Sequence, residues 1–334
     1  MTIVPDIHAC VDRLRAGGLV AFPTETVYGL GADALNERAV RRVFELKGRP
    51  ANNPLIVHVS GPAMAREVVR AWPPGAERLA EAFWPGPLSI VLQRAPQVPA
   101  IVSAGGDTIA VRCPDHPLTL ALLRAFGGPL VGPSANLSGR VSPTAASHVR
   151  DAFPGDEVLV LDGGECRVGI ESTVLSLVGG PARVLRPGVL GAEQIAGTLG
   201  AGVSYEAPAD AAPDGSADAG APLASPGLLA SHYAPARRAV LTDAPGIQRL
   251  VREGHGLVVA LAISDLSLPQ PHEVIPMPEF AEDYAHAMYT ALRMADTPRT
   301  GVIAIERPPE GDTPEDRAIW RAVLDRLTRA AGVR

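Results

Sequence analysis

At 334 residues, 46% of them hydrophobic and only 4% aromatic, the chain has enough aliphatic surface for two packed units. Thirty Lys plus Arg against 36 Asp plus Glu leave a formal net charge of −6, which argues against wholesale coating of nucleic acid and leaves room for a local basic cleft. Cys10, Cys113 and Cys166 stand far apart, with no C-x-x-C pair and no H-E-x-x-H, so neither a zinc site, nor a disulfide framework, nor a protein-held catalytic metal is expected.

The opening "MTIVPDIHACVDRL" has Asp and Pro where a secretory signal has a basic region and an apolar core, and no apolar run is long enough to span a membrane. A reducing cytoplasm suits the thiols. Residues 1–205 then alternate apolar runs with amphipathic segments. "GLVAF", "PLIVHV", "LSIVLQ", "TIAVRC", "PLVG", "VLVLDGG", "STVLSLVG" and "ARVLR" read as strands. So many strands with few helices predict a strongly twisted mixed sheet. Asn36 is placed to cap a helix that turns Ala39, Val40, Val43, Phe44 and Leu46 inward, and Gly48 to end it. Lys47 and Arg49 then lie at the exit of that helix.

Residues 206–236 read as a linker that can fold as a lid over the active site of the first unit: "APADAAPDGSADAGAPLASP" has almost nothing bulky to bury. Yet "GLLASHYAPARR" follows at once, and a spacer has no need of His232 and Tyr233. From residue 237 to 334 the rhythm turns regular, with strands "AVLT", "GLVVALAI", "EVIPM" and "GVIAIE" separated by helical stretches. That pattern predicts a smaller α/β unit with a mostly parallel sheet. It carries no nucleotide-binding fingerprint.

Chemistry concentrates in the first unit. Lys47 is the single lysine of the chain; every other basic residue is arginine. A compact ammonium suits a point contact to phosphate in a confined space, although one sequence does not separate that constraint from chance survival. Thr24, Glu25, Thr26 and Tyr28 follow the first strand and suit either a ligand cradle or a Thr-rich turn. His58 lies among apolar residues, as a core histidine or a ligand contact. Arg112, inside an apolar strand, needs an anionic partner if buried. Ser134, Asn136, Ser138 and Thr144 share a loop that reads equally as a capping or Asx turn. With Thr108, Ser172, Thr173 and Arg186, these residues outline a cleft that has cations, hydroxyls and amides but no nucleophile–base pair. Such a cleft suits a polyphosphate and a small polar substrate, with catalysis by positioning and charge neutralisation.

"FPTETVYGLG", "KGRPANNPLIVHV", "PSANLSG", "ESTVL" and "LRPG", in this order, resemble the YrdC domain, and "SPGLLASHYAP" resembles the linker that joins it to a Sua5 C-terminal domain. The resemblance implies a YrdC-like twisted mixed sheet followed by a smaller Rossmann-like α/β Sua5 domain. It implies a threonylcarbamoyl-AMP synthase that uses ATP, L-threonine and bicarbonate, with Mg²⁺ held through the ATP phosphates. It further implies a transient partner, the transferase complex that passes the threonylcarbamoyl group to adenosine 37 of tRNA. Weak contact with tRNA itself is compatible with it. The family pattern assigns Lys47, Arg49, Asn53, Thr108, Asn136, Thr144, Arg186, His232 and Tyr233 to the nucleotide, with Lys47 and Arg49 acting on the leaving pyrophosphate. It assigns Thr26, His58, Arg112, Ser134 and Ser172 to threonine and its carbamate. Where the family often has Asp, this chain has Glu25. YrdC-like domains also occur in carbamoyltransferases that use carbamoyl phosphate, but the acylphosphatase domain and Cys-rich fingers of that type have no counterpart here. An RNA-binding module is disfavoured by the acidic balance and the lack of stacking aromatics near the basic residues.

Overall fold

The computed structural model of the chain describes residues 6–206 and 233–332. His232 and most of the expected linker lie outside the described residues. Among these, one ten-stranded mixed sheet and one four-stranded parallel sheet make up the molecule. Among the described residues no helix is long and apolar enough to cross a membrane.

The first sheet starts from helix α1 (Ile7–Arg15) and strand β1 (Leu19–Phe22), which ends at Pro23. Strand β2 (Gly29–Asp33) returns antiparallel to β1, with Phe22 opposite Gly29 and Val20 opposite Gly31. No strand is predicted there, because "GLGAD" lacks β-branched residues. It forms because a Cβ on Gly29 would come within 2.7 Å of the Phe22 ring and one on Gly31 within 2.8 Å of the Val20 carbonyl. The two glycines thus make room for a phenylalanine lying across the strand pair.

Helix α2 (Glu37–Lys47) has the boundaries its sequence predicts. Asn36 accepts from the Arg38 and Ala39 amides, and Gly48 closes the helix in the left-handed region at φ 59°. The chain continues through β3 (Ile56–His58), α3 (Pro62–Val68), α4 (Pro74–Phe83), β4 (Leu88–Gln93), a 3₁₀ turn at Ala100–Ser103 and β5 (Thr108–Arg112). Then come α5 (Pro117–Phe126), β6 (Leu130–Val131), α6 (Ala146–Ala152), β7 (Val158–Val160), β8 (Thr173–Ser176), β9 (Arg183–Arg186), α7 (Ala192–Leu199) and β10 (Ser204–Tyr205). The strand order is β10-β9-β8-β4-β5-β3-β6-β2-β1-β7. Among the described residues seven α-helices accompany these strands, more than the strand-rich sequence rhythm suggests.

Alternation along β1 shows how the sheet is covered. Leu19 and Ala21 enter the core shared with α2, whereas Val20 and Phe22 enter a second core with α1 and α5. All four residues are therefore buried. The same period of two organises the other half of the sheet, where Ile56, Ala110 and Val174 form an apolar cluster on one face.

In the second sheet, β11 (Ala239–Thr242), β14 (Thr300–Glu306), β12 (Leu257–Ala262) and β13 (Glu273–Pro276) all run parallel. Helix α8 (Ala244–Arg252) covers one face, through Ile247 and Leu250. Helices α9 (Ala281–Ala295) and α10 (Pro314–Ala330) cover the other. That second core does not stop at its own sheet: it takes in Val27, Val141 and Ile170 of the first unit, together with Tyr233.

The left-handed Gly48 sets how the chain leaves α2, and a Cβ there would meet nothing within 4 Å. Only backbone strain therefore opposes a side chain. Gly48→Ala is expected to lower stability by about 1 kcal/mol in urea denaturation; an unchanged midpoint would show that the exit does not depend on this conformation.

Candidate active site

Four strand ends meet on one edge of the ten-stranded sheet. β3 and β5 run parallel and finish side by side, His58 opposite Arg112. β8 starts beside the start of β4 at that same edge, and β9 finishes there with Arg186 opposite Val174. The alternation that puts Ile56, Ala110 and Val174 in one apolar cluster puts His58, Arg112 and Ser172 on that face, one step further along. Together with the loop after β1 and the loop after β6 they line a pocket of about 530 Å³, which is partly open to solvent.

The residues brought together there are Thr26, Arg49, His58, Arg112, Ser134, Ser172, Arg186 and Tyr233, all expected from the sequence. Thr24 and Glu171 join them. Thr24 Oγ1 accepts from the amides of Thr26 and Val27 and donates to the Val27 carbonyl at 2.6 Å. It also lies 2.8 Å from Thr26 Oγ1, a contact in which either hydroxyl can be the donor. Thr26 in turn accepts from Arg112 Nη1 at 2.9 Å. The anionic partner that buried Arg112 requires is Glu25, whose Oε1 lies 2.7 Å from Nη2. Glu25 Oε2 also accepts from the Asp115 amide, and Arg112 Nε donates to the Gly86 carbonyl.

His58 is buried against the edge of Phe22, with ring centroids 5.2 Å apart. A Cβ on Gly132 would come within 2.6 Å of His58 Nδ1, so this glycine keeps the ring in place. Burial and the nearby Arg112 guanidinium hold His58 well below the usual histidine range, and the ring is neutral. Its Nδ1 has no hydrogen-bond partner among the described residues.

The opposite wall is cationic. Arg49 donates to the Asn53 carbonyl, to Asn53 Oδ1 at 2.6 Å and to the Pro54 carbonyl at 2.7 Å. Asn53 therefore orients Arg49 and does not itself line the pocket. Burial pushes Arg49 down to about 9, and Arg186 lowers it too. Arg186 donates through Nε and Nη2 to the Ser172 carbonyl and through Nη2 to Ser172 Oγ at 3.1 Å. Ser172 Oγ also shares a 2.8 Å hydrogen bond with buried Ser89.

Lys47 is 2% exposed. Its Nζ donates to the Ser134 carbonyl at 2.6 Å and to the Asn136 carbonyl. Burial first, and Arg49 second, push its ammonium well below the ordinary lysine range. Lys47 thus ties the end of α2 to the "PSANLSG" loop from behind the pocket wall. Asn136 spends its Nδ2 on the Leu137 and Arg140 carbonyls of that loop, and its buried Oδ1 has no partner among the described residues. Thr144 stands apart, 3.4 Å from Thr290 of α9. Thr108 lies at the other end of β5, four residues before Arg112 and opposite Gln93.

Glu171, next to Ser172 in "IESTV", passed unnoticed in the sequence, as did the two residues that hold it. These are Tyr289 on α9 and Arg326 on α10, whose heavily charged helix reads as surface. Tyr233 packs between them and the pocket, its ring 5.8 Å from that of Tyr289 and 5.8 Å from the Arg326 guanidinium. It adopts φ 63°, uncommon for a side chain of this size.

His58 gives stability a pH dependence. Because its folded state binds a proton less readily than the unfolded chain, whose histidines titrate near about 6.5, its contribution is whole above that pH. As pH falls below it, the unfolded chain takes up a proton that the folded one refuses, and stability drops. His116 and His148 are lowered by burial in the same direction and share the slope. His58→Gln is expected to make the loss between about pH 7 and 5 shallower, by as much as about 1.4 kcal/mol per unit of pH. Identical slopes in denaturation at several pH values would contradict this.

Two family models match the chain. Sua5_yciO_yrdC, described as telomere recombination, covers residues 12–188, and Sua5_C, described as the threonylcarbamoyl-AMP synthase C-terminal domain, covers residues 191–332. A threonylcarbamoyl-AMP synthase of Pyrococcus abyssi is 38% identical over 349 residues, spanning 100% of this chain and 99% of its own. One from Bacillus subtilis is 38% identical over 339 residues, with 99% and 94% covered. Among solved structures, P. abyssi Sua5 complexed with L-threonine superposes with a TM-score of 0.87 at 37% identity, covering 98% of this chain and 94% of that one. With both family models matched in order and relatives aligned end to end, this chain belongs to the Sua5 branch of the Sua5–YciO–YrdC family.

Proposed function

We propose that this chain is an L-threonylcarbamoyladenylate synthase, a nucleotidyltransferase that makes L-threonylcarbamoyladenylate and pyrophosphate from L-threonine, bicarbonate and ATP. The observation that carries the reading is the pocket itself. Buried Arg49 and Arg186 form one wall, and hydroxyls, neutral His58 and Arg112 form the other, in a chain that aligns over nearly its full length with a protein solved with L-threonine.

The chemistry asks for no enzyme nucleophile. Threonine's deprotonated amine adds to CO2 with release of a proton to solvent, or to bicarbonate with loss of water, and gives a carbamate. A carbamate oxygen then forms a bond to the α-phosphorus while the bond to the bridging oxygen breaks, and pyrophosphate leaves. What a protein supplies to such a displacement is alignment and compensation of charge. Thr26, His58, Arg112, Ser134 and Ser172 are assigned to threonine and the carbamate. Arg49 and Arg186 are assigned to the polyphosphate, with Tyr233 beside them. Cations weakened by burial and by one another gain most from an arriving polyanion. Lys47 serves this wall from behind, by fixing the Ser134–Asn136 backbone that borders the pocket. A guanidinium is broader than an ammonium and spreads its donors over a planar fork, so it does not reproduce a single nitrogen held between two carbonyls. Magnesium enters with the nucleotide and is held through its phosphates. The pocket carboxylate Glu171 is already bonded to Arg326 and Tyr289, which supports that reading. The product serves a separate transferase that modifies adenosine 37 of tRNA.

Pyrophosphate release by the purified chain with Mg-ATP and bicarbonate is expected to require L-threonine and to yield an adenylate of matching mass. Release that ignores threonine would refute the assignment. Lys47→Arg is expected to lower turnover by about 100-fold or more while the folded baseline and melting profile persist. Wild-type turnover in that variant would remove Lys47 from the mechanism.

A further inference from the structure

Glu171 is a carboxylate in the wall of a pocket whose proposed ligand is a polyanion. It lines that pocket with Arg49 and Arg186, and its neighbour Ser172 receives the Arg186 guanidinium. Left alone, it would repel phosphate and compete for the same arginines. From the first unit Ser142 donates to it and Arg186 helps to keep it ionised against the cost of burial. The cation paired with it, whose effect is larger, comes from the second unit.

Arg326 on α10 is fully buried. Its Nε donates to Glu171 Oε2 at 3.1 Å and its Nη2 to the Glu171 carbonyl at 3.3 Å. Nη1 is tied to the Pro187 and Ala322 carbonyls, and Asp325 lies 3.5 Å away. Tyr289 on α9, also fully buried, reaches both carboxylate oxygens, at 3.2 and 3.0 Å. Ser142 completes the shell at 2.6 Å from Oε1. The carboxylate is thus held by a cation and two hydroxyls, and both the cation and one hydroxyl belong to the second unit.

As glue between two units this is a poor choice, since burying an ion pair costs desolvation that apolar side chains of similar size avoid. Its value must lie in what the charge does to the pocket. We propose that Arg326 is a positioning residue for the reaction: with Tyr289 it keeps the Glu171 carboxylate neutralised and turned toward the second unit, so that the Arg49–Arg186 wall presents net positive charge to the substrate's polyphosphate. The second unit thereby completes the electrostatics of a site built almost entirely on the first. The inference rests on the adenylate-forming reading for the identity of the polyanion.

The test compares full-length wild type with Arg326→Met, Arg326→Lys, Tyr289→Phe, Glu171→Gln and the Arg326→Met/Glu171→Gln pair. Two readings are taken on each: binding of inorganic tripolyphosphate by calorimetry, and KM for ATP against kcat in pyrophosphate release. Arg326→Met is expected to weaken tripolyphosphate binding and raise KM by about ten-fold, with a smaller change in kcat. Arg326→Lys should recover most of the loss, and Tyr289→Phe should show a milder loss of the same kind. The deciding variant is the pair, in which removal of the unpaired carboxylate restores affinity to near wild type. A pair as weak as Arg326→Met alone would reduce the contact to a clasp between units and overturn the proposal. Should Arg326→Met not fold, the pair and Arg326→Lys carry the comparison, since each leaves Glu171 without a naked charge. Wild-type protein that binds tripolyphosphate in this pattern but releases no pyrophosphate would refute the synthase reading alone. Wild-type protein that binds none would overturn the inference as well.

Discussion

The constraint on which this molecule turns is the burial of cations in an acidic chain. Lys47, Arg49, Arg112, Arg186 and Arg326 are all buried, and among the described residues the carboxylates paired with them are Glu25 and Glu171 of the first unit and Asp325 of the second. The balance is made up by backbone carbonyls: Ser134 and Asn136 for Lys47, Asn53 and Pro54 for Arg49, Gly86 for Arg112, Ser172 for Arg186, Pro187 for Arg326. A carbonyl supplies a dipole without cancelling the charge. A cation held by carbonyls alone is therefore solvated by the chain and still electropositive, a state that dissolved ions reach only by ordering water around themselves.

That solution explains why the loops are shaped as they are. A loop that turns its carbonyls inward toward one side chain needs its own amides satisfied elsewhere, and the "PSANLSG" segment does this by sitting on β2, where the Leu30 and Ala135 amides pair with the Pro133 and Tyr28 carbonyls. The narrow space between Gly29, Gly31 and Phe22 brings β2 close enough for the loop to land there. Packing that looks purely apolar in the sheet thus determines where the electrostatic groups end up.

Much of this was legible in the residues. The caps of α2, the strands that carry His58, Arg112 and Arg186, and the parallel second sheet follow from local signals: an Asn and a Gly at the right spacing, β-branched runs, alternating apolar stretches. β2 was not, because a strand of glycine and alanine has no propensity to announce and forms only against its neighbour. Glu171, Tyr289 and Arg326 escaped for a related reason. An arginine in the "PEDRAIWRAVLDRLTRA" helix and a tyrosine in α9 carry no mark of being buried, and only tertiary packing brings them from over a hundred positions away to one carboxylate. Lys47 was visible by its rarity, whereas its contact with two backbone carbonyls was not. Thr108, grouped with the site by motif, stands at the far end of its strand, where no local pattern distinguishes the two ends.

Two of the three hydrogen-bonding positions of Thr26 Oγ1 are taken, one by Arg112 Nη1 and one by Thr24 Oγ1, which leaves a single position for the pocket that Thr26 lines. That position is a lone pair when Thr26 gives its proton to Thr24. It is a proton when Thr24 turns its own away from the Val27 carbonyl and toward Thr26. Rotation about two C–O bonds thus converts this corner from acceptor to donor without moving a heavy atom.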